Sequence, residues 1–193
     1  MRVVGGQARG RPLRSPAGRG TRPTSDRVRE AIFSVLGSLT TLDGATVVDL
    51  FAGSGALGVE ALSRGAARAA FIDRDRGAVA AVRANVSVVG AGPDAVRVVR
   101  GDAVALAGEA AGADVVFADP PYAFTDWGQL LTALANSGFR GLAVLESDRQ
   151  IELESPWEAV RVKRYGSTVV TVARPAVVSA AGPDDLDPVQ GVQ

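Results

Sequence analysis

Two residue types that carry much of enzyme chemistry are missing, because the 193-residue chain contains no cysteine and no histidine. Without Cys there is no disulfide, thiolate metal site, iron–sulfur cluster or cysteine nucleophile. Without His there is no imidazole base, no histidine-ligated metal and no Ser-His-Asp triad. We therefore expect no metal and a reaction that runs without imidazole or thiol.

Long apolar runs are also missing. The longest stretch without a charged residue, 127–139, has 13 residues and is too short to span a bilayer. No apolar segment follows the basic N-terminus, so we expect no secretory signal. The remaining composition, 47% hydrophobic and 22% charged, is ordinary for one globular domain with an appendage. These features predict a cytoplasmic protein that does not associate with membranes.

The formal net charge is zero, but the charges are unevenly placed. Residues 1–30 hold eight Arg against two acidic residues and are rich in Gly and Pro. Guanidinium groups pair well with phosphate, so this segment predicts a nucleic-acid-binding arm over 1–23, with 2–5 paired against 11–15 in a small basic β-hairpin. A solvated basic tail is the alternative. The candidate contacts are Arg2, Arg9, Arg11, Arg14, Arg19, Arg22, Arg27 and Arg29. Residues 176–193 predict a disordered acidic tail.

Short apolar runs then alternate with segments of helical period. Strands are predicted at 46–51, 69–72, 96–99, 115–118 and 142–145, and helices at 57–64, 76–88, 103–110 and 127–136. An earlier helix is predicted to begin at Thr24 or Ser25 and end at Gly37, with Arg27 and Arg29 on its outer face. Two β-branched runs, 160–164 and 167–173, predict an antiparallel hairpin. The pattern predicts an α/β fold with a doubly wound, Rossmann-like sheet that ends in an antiparallel pair.

A glycine-rich turn follows the first predicted strand. Gly53, Gly55 and Gly58 satisfy G-x-G-x-x-G, a pattern that lets a ligand lie against backbone N–H groups at a helix N-terminus. Asp73 follows Gly53 by 20 residues, where a carboxylate can accept both ribose hydroxyls of an adenosine. This set suits either NAD or S-adenosylmethionine.

Two further acids favour S-adenosylmethionine. Asp49 lies just before the turn, where a negative charge suits a cationic ligand better than a pyrophosphate. Asp102 follows the third strand and can receive an adenine amino group. The candidate cofactor-binding residues are Asp49, Phe51, Ala52, Gly53, Ser54, Gly55, Asp73, Arg74, Asp102 and Ala103.

The tetrapeptide Asp119-Pro120-Pro121-Tyr122 follows the fourth predicted strand. An exocyclic amine of a nucleobase is a poor nucleophile, because its lone pair is delocalised into the ring. A carboxylate and a fixed proline carbonyl can accept its two N–H groups and direct the lone pair toward a methyl sulfonium. Tyr122 offers a face on which an extruded base can stack. These four residues are the candidate catalytic loop, and the motif alone leaves the base open.

These motifs resemble the RsmD family of bacterial 16S rRNA guanine-N2 methyltransferases. The resemblance rests on 22–33 (RPTSDRVREAIF), 49–66 (DLFAGSGALGVEALSRGA) and the tetrapeptide, and it covers about residues 1–175. It implies a class I methyltransferase sheet of seven strands over 24–175, S-adenosylmethionine as donor, and one guanine of 16S rRNA in the 30S subunit or a late precursor as target. Relatives often carry Glu at the position of Asp73. Because the Asp side chain is shorter, we expect Asp73 and Asp75 to share the ribose contact. We expect a monomer.

Three other functions are alternatives to rRNA guanine-N2 methylation. A DNA adenine-N6 or cytosine-N4 methyltransferase uses the same amine chemistry, although no separate base-reading domain is evident. A non-catalytic ribosome-assembly factor with a vestigial cofactor fold would not need the intact acidic and glycine residues. A nicotinamide dehydrogenase explains neither the tetrapeptide nor the terminal hairpin.

Overall fold

Short runs of β-branched and apolar residues form the seven strands of one sheet. The structure, a computed structural model, describes residues 1–16 and 25–176. The strands are β1 (Thr46–Leu50), β2 (Arg68–Asp73), β3 (Val96–Arg100), β4 (Val115–Ala118), β5 (Leu142–Ser147), β6 (Trp157–Tyr165) and β7 (Thr168–Pro175). Their order is β3-β2-β1-β4-β5-β7-β6. The first five are parallel, and β7 runs antiparallel to both β5 and β6.

Helices cover both faces of this sheet. They are α1 (Asp26–Leu39), α2 (Ala56–Ser63), α3 (Arg76–Val86) and α4 (Trp127–Asn136). Successive strand residues point to opposite faces, so Val47 packs under α1, α2 and α3 while Val48 packs under α4. The α/β, doubly wound, Rossmann-like sheet with an antiparallel last hairpin is confirmed.

The carboxyl ends of the five parallel strands meet at one edge of the sheet. β1 has β2 as its neighbour on one side and β4 as its neighbour on the other, so the strand order reverses direction at β1. Ligands of open α/β sheets bind in the crevice at such a switch point. The turns that follow β1 and β4 are therefore neighbours there.

Two helix predictions need correction. The helix predicted over 103–110 is only a 3-10 turn at Ala107–Ala110, because the Asp102 carboxylate accepts the N–H groups of Val104 and Ala105 and offers the backbone a local alternative. Gly37 does not end α1, which continues to Leu39, since that glycine tolerates helical geometry on the exposed side. The predicted cap at Ser25 is confirmed: its hydroxyl accepts the N–H of Val28 at 3.2 Å.

The N-terminal segment pairs with itself over a shorter range than predicted. The N–H of Val3 donates to the carbonyl of Arg11 at 3.0 Å, and the N–H of Leu13 donates to the carbonyl of Met1 at 3.0 Å. The antiparallel bridge itself joins Arg2 and Pro12. The hairpin is therefore limited to the ends of the segment 1–14.

This segment is held against α2 and α3 rather than projecting from them. Its apolar side chains enter the main core, and they are Val3, Ala8 and Leu13. The N–H of Ala8 donates to the Ser63 hydroxyl at 2.9 Å, and the N–H of Arg14 donates to the Asn85 side chain at 2.8 Å. The exposed members of the predicted arginine set are Arg2, Arg9, Arg11, Arg14 and Arg27. Arg19 and Arg22, like the predicted tail after Ala176, lie outside the described residues.

The prediction that Arg29 faces solvent and binds RNA is wrong. Its side chain is fully buried, because position 29 shares the inward stripe of α1 with Phe33 and Leu36. It pairs with Asp26 at 2.9 Å and with the buried Glu60 at 3.7 Å, and it donates to the carbonyl of Arg2.

Glu60 completes this buried ion pair from α2. Its carboxylate also accepts the N–H of Val4 at 2.8 Å and the Nε–H of Arg64 at 2.8 Å. The pair therefore joins α1, α2 and the N-terminal segment at one point.

Removing one partner of this buried pair is expected to be costly. Arg29→Met leaves the Glu60 carboxylate without its buried cation, so we expect the free energy of unfolding to fall by about 3 kcal/mol. Arg27→Met, two positions earlier and exposed, should change it by less than about 0.5 kcal/mol. Denaturant unfolding of both variants measures the difference, and equal stabilities would contradict a structural role for the pair.

Candidate active site

A cavity of about 1120 Å³ opens at the carboxyl edge of the parallel strands. Each strand contributes the residues that directly follow it or end it. The lining includes 51–54 after β1, Asp73 at the end of β2, Asp102 and Ala103 after β3, 119–126 after β4, Glu146 in β5, and 165–168 at the turn that joins β6 to β7. All predicted cofactor and catalytic positions except Gly55 thus meet at one cavity.

Two carboxylates hold the glycine-rich turn in place. The N–H of Gly58 donates to Asp49 Oδ2 at 2.9 Å, and the N–H of Gly53 donates to Asp73 Oδ2 at 2.8 Å. Asp73 uses its other oxygen to accept the N–H of Asp75 at 2.8 Å. The turn is consequently fixed to the ends of both β1 and β2.

The three glycines of the turn lie in different surroundings. A Cβ on Gly53 would find only its own neighbouring backbone nearby, so its backbone is open to the cavity. Gly55 has a φ of 75°, and a Cβ there would meet Val82 and Phe71. A Cβ on Gly58 would lie 2.3 Å from the Phe71 ring. Gly55, one of the predicted cofactor-binding residues, therefore faces the core, whereas Gly53 faces the cavity.

Phe51 links the turns after β1 and β4. It has a φ of 59°, a left-handed conformation that is unfavourable for a residue with a side chain. Its ring packs edge-on against Phe124 at 5.0 Å, and Phe124 packs edge-on against Trp127 at 5.1 Å. These contacts keep the strained turn beside the loop that carries the tetrapeptide.

Asp49 is a buried carboxylate, 2% exposed. Burial raises the pKa of Asp49 well above its usual value, while the hydrogen bond from Gly58 opposes the rise and the charges of Asp119 and Asp73 add to it. The negative charge that the sequence predicts for Asp49 is therefore unfavourable in the folded protein. A cationic ligand in the cavity would reduce this unfavourable effect.

The tetrapeptide presents its groups to the cavity in a defined order. Asp119 is half-buried, Pro120 is buried, and Tyr122 is 39% exposed. The carbonyl of Pro121 accepts the N–H of Phe124 at 2.8 Å, which closes a turn. Among the hydrogen bonds of the described residues, none uses the carbonyl of Pro120. Asp119 and Pro120 both line the cavity, beside the residues of the glycine-rich turn.

Sequence reasoning missed Glu146. This carboxylate lies in β5, is 5% exposed, and lines the cavity together with the tetrapeptide. The predicted strand ended at residue 145, although an acid directly after a buried apolar strand was a usable signal. The N-terminal segment and α1 also contribute lining residues that sequence spacing does not indicate, namely Met1, Ser15, Pro16, Ser25 and Val28.

Residues 1–16 and 25–176 contain neither a metal-binding cluster of side chains nor a helix that could span a membrane. No cluster of three or more Asp, Glu, His or Cys side chains is arranged to hold a metal ion there. No helix in these ranges has the length and apolar character needed to cross a membrane.

Comparison with known proteins decides the family. The family model described as "Conserved hypothetical protein 95" matches residues 1–174. The Bacillus subtilis protein YlbH, provisionally named an rRNA methyltransferase, is 40% identical over 182 residues, covering 89% of this chain and 97% of YlbH. Ribosomal RNA small subunit methyltransferase D of Escherichia coli is 45% identical over 123 residues, covering 63% of this chain and 60% of that one. The chain belongs to the RsmD family.

Solved structures agree with the RsmD assignment. The structure of the Escherichia coli protein yhhF, provisionally named a methyltransferase, has a TM-score of 0.78 and 34% identity and covers 91% of this chain and 98% of its own. The Haemophilus influenzae protein HI0767, provisionally named a methylase, has a TM-score of 0.74 and 25% identity over the same shares of the two chains. The class I methyltransferase fold of this RsmD-family chain is thus shared along nearly the whole of both structures.

Asp49→Asn is expected to stabilise the ligand-free protein and to weaken its binding of S-adenosylmethionine. An amide oxygen can still accept the Gly58 N–H but carries no buried charge. Because the folded-state pKa of Asp49 is raised, the cost of the charge is absent below the unfolded-state pKa and grows as the pH rises toward the folded-state pKa. The gain in Tm should therefore be larger at pH 7 than at pH 4.

Calorimetry completes this test. Losing an opposite charge a few ångström from the ligand should weaken S-adenosylmethionine binding by at least about tenfold. A variant that is less stable at pH 7 and binds as tightly as wild type would contradict the electrostatic role of Asp49.

Proposed function

We propose that this chain transfers a methyl group from S-adenosylmethionine to the exocyclic N2 of a guanine in 16S rRNA. It acts in the cytoplasm, as a monomer, on the 30S subunit or a late assembly intermediate. The proposal rests on one observation: the acceptor pair of Asp119 and Pro120 shares a cavity with the glycine-rich turn. The names of the Escherichia coli and Bacillus subtilis relatives support rRNA as the substrate.

The residues of the turn fit the donor. Each oxygen of Asp73 accepts one backbone N–H and keeps a lone pair, so the carboxylate can still accept both ribose hydroxyls. Asp75 is less suitable, because its carboxylate caps α3 by accepting the N–H of Ala78 at 2.7 Å. Asp49, Asp102 and Ala103 line the same cavity as Gly53, and we assign Asp102 and Ala103 to the adenine. S-adenosylmethionine supplies the electrophilic methyl group as a sulfonium.

The tetrapeptide prepares the nucleophile. Asp119 and the Pro120 carbonyl accept the two N2–H groups, which draws the nitrogen toward tetrahedral geometry, and the exposed Tyr122 ring stacks on the base. The N2 lone pair then forms the bond to the methyl carbon, and the carbon–sulfur bond breaks with its electron pair going to sulfur. One N2 proton passes to the Asp119 carboxylate and on to water.

The second cavity carboxylate favours guanine among the bases with an exocyclic amine. The Watson–Crick edge of guanine presents two kinds of donor, N1–H and N2–H. Adenine and cytosine instead place an acceptor nitrogen beside their amine. Glu146 and Asp119 both line the cavity and can accept from these two donors. An acceptor nitrogen facing Glu146 would be repelled, which is an argument against the adenine-N6 and cytosine-N4 alternatives.

The exposed arginines of the N-terminal segment fit the RNA backbone. Arg9, Arg11 and Arg14 lie on the solvent side of a segment whose other side is packed on α2 and α3. A basic surface that is fixed to the domain can position the RNA by its phosphates. In this proposal residues 1–23 bind RNA, and residues 24–175 bind the donor and carry the chemistry.

Asp119→Ala should abolish methyl transfer without loss of donor binding. Removing one of two acceptors for the amine should lower the rate by at least about a hundredfold, while S-adenosylmethionine affinity changes by less than about twofold. Asp119→Asn should recover part of the rate, because its amide oxygen accepts one N–H. Asp94→Ala, an exposed site in the turn Pro93–Ala95, is the matched control.

The measurement uses a strain that lacks the gene. Mass mapping of 16S rRNA nucleosides should show one missing N2-methylguanosine, which wild type and the control restore and Asp119→Ala does not. Unaltered 16S rRNA together with lost DNA methylation would overturn the proposal in favour of the DNA alternative.

Glu146→Gln should relax the choice of base. Wild type should prefer guanine over 2-aminopurine at the target position of reconstituted 30S particles, since 2-aminopurine keeps the amine but lacks N1–H. The variant should narrow this preference by about tenfold through the loss of one charge-assisted hydrogen bond. Glu154→Gln, which is exposed, should keep the wild-type ratio. An unchanged preference in Glu146→Gln would remove Glu146 from base selection.

A further inference from the structure

The outer edge of the sheet carries a second basic surface. β6 is the edge strand at one end of the strand order, and within residues 1–16 and 25–176 it pairs with β7 alone. Three exposed cations lie along it, Arg161 and Lys163 toward one face of the sheet and Arg164 toward the other; we call them the β6 cations. The only acid of the strand, Glu158, is paired with Arg174 at 2.6 Å. Within the two described ranges, none of the β6 cations forms an ion pair.

The β6 cations lead directly to the cavity. β6 ends at Tyr165, which lines the cavity with Gly166, Ser167 and Thr168. The Lys163 ammonium lies 5.4 Å from the centre of the Tyr165 ring. At about 3.3 Å per residue, Arg161 is only roughly 13 Å along the strand from Tyr165. An RNA strand that enters the cavity at this side would pass over these charges.

The β6 cations and the N-terminal segment lie on opposite sides of the cavity. The segment is fixed to α2 and α3, beside β1, β2 and β3, whereas β6 closes the far end of the strand order. Six strand spacings separate the two edges, which is roughly 29 Å. The segment on α2 and α3 and the β6 cations therefore belong to different parts of the fold around the cavity.

We propose that the β6 cations bind phosphates of the rRNA on the second side of the target nucleotide. This inference rests on the proposed function, because it takes rRNA as the substrate. It adds a contact surface that composition did not indicate, since the basic excess of the sequence is concentrated in residues 1–30.

Protection of the sheet edge is the competing explanation, because charged side chains on edge strands prevent edge-to-edge association. At the opposite edge of the sheet, the arginines of β3 have partners within the protein. There Arg97 is paired with Glu109, and Arg100 donates to the carbonyl of Arg74 at 3.2 Å. The β6 cations are left uncompensated beside the cavity, which favours a polyanionic partner.

Charge reversal separates the two explanations. The triple variant R161E/K163E/R164E keeps a charged edge but repels phosphate. We expect its affinity for undermethylated 30S subunits to fall by at least about a hundredfold at low salt, while S-adenosylmethionine binding and the monodisperse state stay as in wild type. The matched control is R68E/R140E, whose exposed arginines lie at the amino ends of β2 and β5, away from the cavity.

A neutral variant provides a second, independent measurement, the salt dependence of binding. R161Q/K163Q/R164Q should lower the slope of log affinity against log salt by about 2 to 3, since each lost phosphate contact removes about 0.7 to 0.9. Wild-type affinity and slope in both triple variants would overturn the inference, with edge protection as the remaining role. Failure of the wild type to methylate any rRNA would instead overturn the proposed function, and this inference with it.

Discussion

The geometry of the candidate site depends on backbone N–H groups that donate to two carboxylates. Gly58 donates to Asp49 and Gly53 donates to Asp73, so the turn after β1 is fixed to two neighbouring strands. Because Asp49 is buried, its charge is unfavourable until a cation is near. The charged Asp49 thus lowers the stability of the ligand-free protein and favours the binding of a cationic ligand.

The adjacency of β1 and β4 converts this turn into a reaction centre. Sheet order brings the tetrapeptide to the glycine-rich turn without any long-range loop. The Phe51 and Phe124 rings then keep the two loops in contact. Alignment of two reactants is most of what the proposed amine methylation requires, and strand order and two aromatic contacts hold the two loops in the arrangement that the proposal uses. A chain without His and Cys can therefore carry out this chemistry.

Sequence patterns predicted elements whose signal is local. α4 has the predicted bounds 127–136, because Trp127, Leu130 and Leu134 recur at helical spacing. Prediction was wrong for Arg29, since the carboxylate that allows its burial, Glu60, lies in another helix, and no local pattern shows that the two meet. Glu146 was missed although an acid directly after a buried apolar strand is a local signal, and its place in the cavity follows from which strands become neighbours.

β7 lies between β5 and β6 and runs antiparallel to both, and this direction determines the edge of the sheet at which β7 ends. Residues 173 and 143 are paired, so Pro175 lies at the amino edge of the sheet, far from the cavity. Met1, in contrast, lines the cavity, and its sulfur is 3.6 Å from the Ser54 hydroxyl. An affinity handle for immobilising the enzyme on a sensor surface should accordingly be attached after the last strand, where it leaves the mouth of the cavity open to a particle as large as a ribosomal subunit.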